Sequence, residues 1–435
     1  LPTRRVEAGL AVLEQEGFAL QGRYSVGATD TEWVARRLLA RMHSYSRRSR
    51  RQGVEPATTQ DFMRFLLRWQ HVAPGTQLAG EAGLLAAVEQ LQGFEAAAVA
   101  WEPELLARRV RHYEPAVLDR LCHDGELTWL RLAPRPRDDA DAPVGAPSKA
   151  TPIAVVFRSD LDWLLTAARH GLEVPEPTVG ATAEIIEVLR ARGACFASEI
   201  AELTRRLPDD IEGGLWDGVA RGLLTSDGFG AIRARIAPGR DKADTRRMSR
   251  LLRGARAAGA GAGRWSLVSD PAPEAAQPAG DRSIDQHDLA EAVAEQLLNR
   301  WGVVFRDLAL RDSLRIPWRD VQRALRRLED RGLVRGGRFV TGFSGEQYAL
   351  PQAVEQLAQV RKAERTDERV VVNGTDPLNL AGLIVPGANV PAIRTRRVIY
   401  VDGVPEVETT ADTDTDASDE SELDPAELVS ASLAP

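Results

Sequence analysis

"RRLEDRGLVRGGRFVTGF", residues 326–343, runs from a charged helix into a glycine and then into an apolar, glycine-rich stretch. Leu328 lies four residues before Gly332. A glycine at that place takes the left-handed conformation that ends a helix at little cost. The Gly336-Gly337 pair suits a tight strand turn. The same phrase recurs at "AVLEQEGFALQGRYS", "LDRLCHDGELTWLRL" and "LWDGVARGLLTSDGFGAIRARI". Leu13 and Leu121 again stand four residues before Gly17 and Gly125. The third copy is weaker, with Gly218 at that place ahead of Gly222.

Upstream of the last copy, Leu289, Val293, Leu297 and Trp301 form one helical stripe. Val321, Leu325 and Leu328 form a second, at spacings of four and three. Short helices followed by a two-stranded wing predict a winged helix-turn-helix, whose second helix usually enters the DNA major groove. The expected fold class is mainly α with small β elements (α+β). It comprises tandem winged-helix domains, then a small β-barrel-like module, then a disordered acidic tail. The expected divisions are a partial winged helix at 1–30, containing only a last helix and wing, and a complete unit at 31–134. A strand, helix and winged helix follow at 150–240. Another winged helix is expected at 283–362, the β module at 366–407 and the tail at 408–435. "RPRDDADAPVGAPSK", "RAAGAGAGRW" and "SDPAPEAAQPAGDRS" read as soft linkers.

A chain of 435 residues with 43% apolar content can bury several cores. No apolar run is long enough to span a membrane, and no signal-peptide pattern opens the chain. The start at Leu1 rather than Met reads as a piece of a longer protein. Cys122 and Cys195, the only two cysteines, read as small buried hydrophobes in a reducing cytoplasm. The net charge of −7 misleads. Without the ten carboxylates from Glu406 onward, 56 basic residues face 53 acidic ones. Only Lys149, Lys242 and Lys362 are lysines, so nearly all positive charge is guanidinium, which binds oxyanions with two parallel bonds.

None of those lysines follows a glycine, so no Walker A motif is recognisable and the chain is expected to hold no cofactor of its own. The six histidines form no H-E-x-x-H pair. The tail's "DTDTDA" lacks the glycine and final glutamate of a calcium loop. Two basic clusters remain. "RRLLARMHSYSRRSRR" carries Arg36, Arg37, Arg41, Arg47 and Arg48, and the predicted helix at 318–331 carries Arg319, Arg323 and Arg327. Arg338 sits on the wing that follows. One such cluster reads as a solvated face. Two on repeated wing units point to DNA backbone contact with little sequence specificity.

In and just before "AVEQLQGFEAAAVAWE", residues 87–102, Leu84, Val88 and Leu91 predict a helix over 82–92 stopped by Gly93. Gln90 and Gln92 point to different sides of a regular helix, so they meet one ligand only if the helix ends between them. The plain alternative is two surface glutamines.

Five stretches resemble the C-terminal region of the large helicase-related (Lhr) family. They are "PATTQDFMRFLLRWQHVAPGTQ", "EQLQGFEAAAVAWE", "LLNRWGVVFRDLA", "GLVRGGRFVTGFSGEQYALPQAVEQL" and "NGTDPLNLAGLIVPG". The resemblance implies a 3′-to-5′ DNA translocase core upstream, outside this chain, which holds ATP and Mg. The same region is similar to tandem winged-helix glycosylases of the AlkZ type, whose Gln–apolar–Gln motif matches Gln90-Leu91-Gln92. That likeness implies site roles for Gln90 and Gln92. Three readings follow: a DNA-gripping module partnered with a helicase core, a DNA glycosylase for uracil or another damaged base, or an assembly platform whose partners include a homo-oligomer.

Overall fold

The computed structural model describes residues 3–25, 27, 29–39, 41–42, 55–134, 139–142, 144, 150–236, 263–268 and 285–407. The first helix, α1 (Thr3–Gln15), ends at Gly17, with φ 77°, and leads into the antiparallel pair β1 (Ala19–Gly22) and β2 (Glu32–Ala35). Helices α2 (Thr59–Trp69) and α3 (Gly80–Leu91) follow, with β3 (Leu78–Ala79) just before α3. After β4 (Ala96–Ala97) a π-helical turn, Trp101–Leu106, runs into Ala107–Arg109 and β5 (Val110–Arg111). Then come α4 (Pro115–His123), β6 (Leu127–Leu130), β7 (Pro152–Phe157) and α5 (Leu161–Ala168).

The next unit contains α6 (Gly180–Arg192), α7 (Ala197–Thr204), α8 (Pro208–Ala220), β8 (Leu224–Ser226), α9 (Gly230–Ile236) and β9 (Trp265–Leu267). The last winged unit contains α10 (Gln286–Trp301), β10 (Val303–Val304), α11 (Arg306–Ala309) and α12 (Trp318–Asp330). Its wing is β11 (Arg335–Gly337) and β12 (Gln347–Ala349), and α13 (Pro351–Lys362) follows.

Three copies share one topology. In the last, β12 lies between β11 and β10. In the first complete copy, β7 lies between β6 and β4. In the middle copy, β9 pairs with β8 and meets Cys195 through a single bridge. Gly125, Gly222 and Gly332 all close their helices at positive φ. In the weaker copy Gly222 therefore does the capping. Gly218 lies inside α8, where a side chain would run into Leu224. Gly336 and Gly337 lie within β11, so the hairpin turn falls later, in the loop before β12.

The β module is β13 (Arg369–Asn373), β14 (Arg397–Val401) and β15 (Val404–Val407), an antiparallel meander. The barrel-like closure expected from its sequence is not found. The three strands form an open sheet, and its apolar face, with Val370, Val372, Val398 and Tyr400, is covered by other parts of the chain instead. The acidic tail at 408–435 lies outside the described residues.

Two apolar cores cut across the winged units. One gathers Phe62, Phe65 and Leu66 of α2, Leu164 of α5, the buried apolar residues of the 289–360 region and those of the β module. The other gathers Leu84, Val88 and Leu91 of α3, the π-helical turn, α4 and the unit at 180–267. Cys122 and Cys195 are buried in this second core. The segment 152–168 is shared: Ala154 and Val156 of β7 face the first core, Ile153 and Val155 the second. This is the period-two alternation of a strand buried on both sides.

Candidate nucleic-acid interface and a glutamine seam

Helix α12 buries Val321, Ala324, Leu325 and Leu328, which turns its arginines outward. Arg319 and Arg323 are 76% and 67% exposed and both approach Asp320, at 3.6 and 3.0 Å. Arg326 pairs with Glu346 of the wing at 2.9 Å, and Arg327 with Glu291 of α10 at 3.5 Å. Arg331 also binds Glu291. Such exposed pairs are worth little in water, so a phosphate can displace the carboxylates. Arg338 stands exposed on the wing loop. Arg306, Arg311 and Arg315, not singled out from the sequence, are exposed in the stretch leading into α12. Their signal was available, because Arg311, Arg315, Arg319 and Arg323 follow one another at spacings of four.

The equivalent helices of the other two copies differ. Helix α8 carries Asp209, Asp210, Glu212 and Asp217 and no basic residue. Helix α4 is partly covered by the neighbouring unit: Arg233 pairs with Asp119 at 2.7 Å and donates to the Pro115 carbonyl at 3.2 Å. Among these three helices, only α12 presents an open arginine row. Arg36, Arg37 and Arg41 are exposed beyond β2, away from α12 in the chain. Arg47 and Arg48 lie outside the described residues.

Helix α3 does end between the two glutamines. Leu91 is its last residue, Gln92 is extended at φ −55° and ψ 142°, and Gly93 has φ 84°. Neither glutamine is at the surface. Gln90 Nε2 donates to the Trp69 carbonyl at 3.0 Å, while its Oε1 is buried without a partner. Gln92 Nε2 donates to Asp160 Oδ2 at 2.9 Å and to Gln296 Oε1 at 3.3 Å. Its Oε1 accepts from the Phe157 amide at 3.3 Å.

The opposite wall of this seam is α10. Gln296 Nε2 donates to the Glu89 carbonyl at 3.0 Å. The fully buried Arg300 donates to the carbonyls of Gln90, Leu91 and Gln92 and pairs with Asp312. Gln70 Nε2 in turn donates to the Arg300 carbonyl at 3.0 Å. The orphaned carbonyls at the end of α3 are thus satisfied by side chains from a helix two hundred residues later. Among the described residues, Asp160 is the one carboxylate bound directly to the glutamine pair, and it is half-buried.

With this geometry in view, similarity to known proteins is specific. Residues 57–144 and 283–369 each match the winged-helix domain of the large helicase-related protein. Both segments are thus similar to Lhr winged-helix domains. A relative described as "Lhr helicase/uracil glycosylase", from Escherichia coli (strain K12), is 26% identical over 430 residues, covering 90% of this chain and 26% of the relative. A second, "Lhr helicase/ probable uracil glycosylase" from Mycolicibacterium smegmatis, is 28% identical over 391 residues, covering 86% of this chain and 24% of the relative. This chain therefore spans about a quarter of the length of either relative. Among solved structures, Streptomyces sahachiroi DNA glycosylase AlkZ is similar at a TM-score of 0.45 and 14% identity, over 81% of this chain and 87% of that one. Among the described residues, no helix is long and apolar enough to cross a membrane.

Proposed function

We propose that this chain is the DNA-holding module of an Lhr-type repair helicase. It grips the backbone of duplex or separated strands in the cytoplasm while a motor elsewhere in the protein consumes ATP with Mg. The observation that carries this reading is the exposed arginine row of α12, on a domain that matches Lhr. The names of both relatives, which join helicase and glycosylase, support a role in repair. Guanidinium contacts to phosphate predict little sequence preference and strong salt dependence. Reversing the charge of Arg319 and Arg323 together should weaken binding to every DNA sequence. It should also flatten the plot of log affinity against log salt by about two, at roughly 0.9 per phosphate contact. An unchanged slope would remove α12 as the DNA-binding face.

A second reading, glycosylase chemistry, is favoured by two features of the seam: Gln92 holds Asp160 at 2.9 Å, and the Oε1 of Gln90 is buried without a partner. In this reading Asp160 polarises a water and the glutamines bind a base flipped out of the stack. Alkali-revealed cleavage of a deoxyuridine-containing strand should then appear and should fade in Asp160→Asn and Gln92→Ala. No cleavage by the wild-type chain on uracil-containing DNA would remove uracil as the substrate. Cleavage that persists in both variants would remove this site.

A further inference from the structure

Arginines on two separate elements meet at the junction between the π-helical turn and the β module. Arg108 and Arg111 flank Arg109, and the three divide by face. Arg109 is fully buried and binds Asp376 through both nitrogens at 2.7 and 2.9 Å, whereas Arg108 and Arg111 are exposed. Across the junction, Arg394 on the loop that enters β14 and Arg397, the first residue of β14, are exposed. Glu104 links the two sides. Its Oε1 accepts from Arg397 at 3.0 Å, and its Oε2 lies 3.7 Å from Arg108.

The loop presenting these groups is fixed. Asn373 Nδ2 donates to the Arg394 carbonyl at 2.9 Å, and the Gly374 amide donates to the Arg396 carbonyl at 2.8 Å. A side chain at Gly374 would fall 2.6 Å from the Ile393 carbonyl oxygen, so the two strands of backbone approach as closely as glycine allows. The buried Arg109–Asp376 pair holds the module to the π-helical turn below.

We infer that Arg108, Arg111, Arg394 and Arg397 form a second contact for the DNA phosphate backbone, on the β module and separate from α12. Arg108 and Arg397 share the single carboxylate of Glu104, which neutralises only one of their two charges, and Arg111 and Arg394 add two more exposed guanidinium groups on the same two segments. A carboxylate shared by arginines from two elements also marks a place where an oxyanion is well held, and phosphate offers the same forked geometry with more charge. Guanidinium contacts to phosphate carry no base recognition of their own.

The test uses the whole chain and a duplex oligonucleotide, with affinity measured across a salt series. The triple variant Arg111→Gln/Arg394→Gln/Arg397→Gln changes only exposed side chains, and a thermal melt checks its fold. Its salt slope should fall by about two to three, and its affinity at low salt by about tenfold or more. Glu104→Gln should shift binding the other way, towards tighter association, which a merely destabilised protein would not do. An unchanged slope and affinity in the triple variant overturns the inference. The Arg319/Arg323 reversal is run alongside, so each contact fails separately. Loss there alone leaves α12 as the site and removes this one, and loss in the triple variant alone does the reverse.

Discussion

Glu95 shows how much one residue's surroundings decide. It lies three positions after Gln92, half-buried, with its Oε1 accepting from the Leu132 amide at 2.8 Å. Burial pushes its carboxyl up from the ordinary 4.5 to about 7, against the opposing pull of Arg131 and Arg169. Burial in turn draws Arg169 down to about 10. A carboxyl raised in the folded state favours the fold while it is protonated. That contribution is complete below about pH 4.5 and is lost as pH rises through 7. Glu95→Gln keeps the acceptor and removes the titration. Its melting temperature relative to wild type should therefore rise between pH 5 and pH 8; a difference that does not change with pH would show that Glu95 does not titrate there. The sequence could not show this. A glutamate before an alanine-rich stretch reads as surface, and Leu132, Arg131 and Arg169 reach it only in the folded chain.

At the scale of elements, helices were legible and their neighbours were not. The helix stops at Gly17, Gly125 and Gly332 follow from local backbone chemistry, and each appears at positive φ. The apolar stripe of α10 predicted its buried face, down to Trp301. The end of α3 between Gln90 and Gln92 was posed as a condition and is met. Their burial was not foreseen, because the groups that bind them come from α10 and from Asp160, in the turn just before α5. Arginine, read alone, belongs outside, yet Arg109 and Arg300 are among the most buried large side chains.

The β module is clamped to α2 and the π-helical turn by such groups. Gln60 Nε2 of α2 donates to the Asp402 carbonyl at 3.0 Å, and Arg64 donates to the carbonyls of Val360, Ala363 and Glu364, at the end of α13 where the chain leads into the module. Arg68 pairs with Glu368 at 2.8 Å, and Arg109 with Asp376. Removing one member of a buried pair strands the other charge. Asp376→Ala should destabilise the protein by about 3–5 kcal/mol in denaturant unfolding. The double variant Arg109→Met/Asp376→Leu should cost clearly less than that single one. A double variant at least as damaging as Asp376→Ala would mean that the pair itself, rather than the stranded charge, carries the stability.

At the scale of the whole molecule, the repeat announced by residues 326–343 is real and its assembly is not sequential. Sequence periodicity identifies each winged unit, since one unit's pattern is local. It cannot say that Ala57 bridges to Val340 or that Phe65 of α2 packs with residues near 300. Those pairings depend on complementary apolar faces far apart in the chain, and no local rule selects between them. The same interleaving has a consequence during synthesis. Helix α2 leaves the ribosome with Phe62, Phe65 and Leu66 bare, and the residues that cover them are made more than 200 positions later. At about 5–20 residues per second, that face waits roughly 10–60 s for its partners. Over that interval the nascent chain carries an uncovered apolar face of the kind that aggregates or is held by chaperones, and the finished protein conceals it.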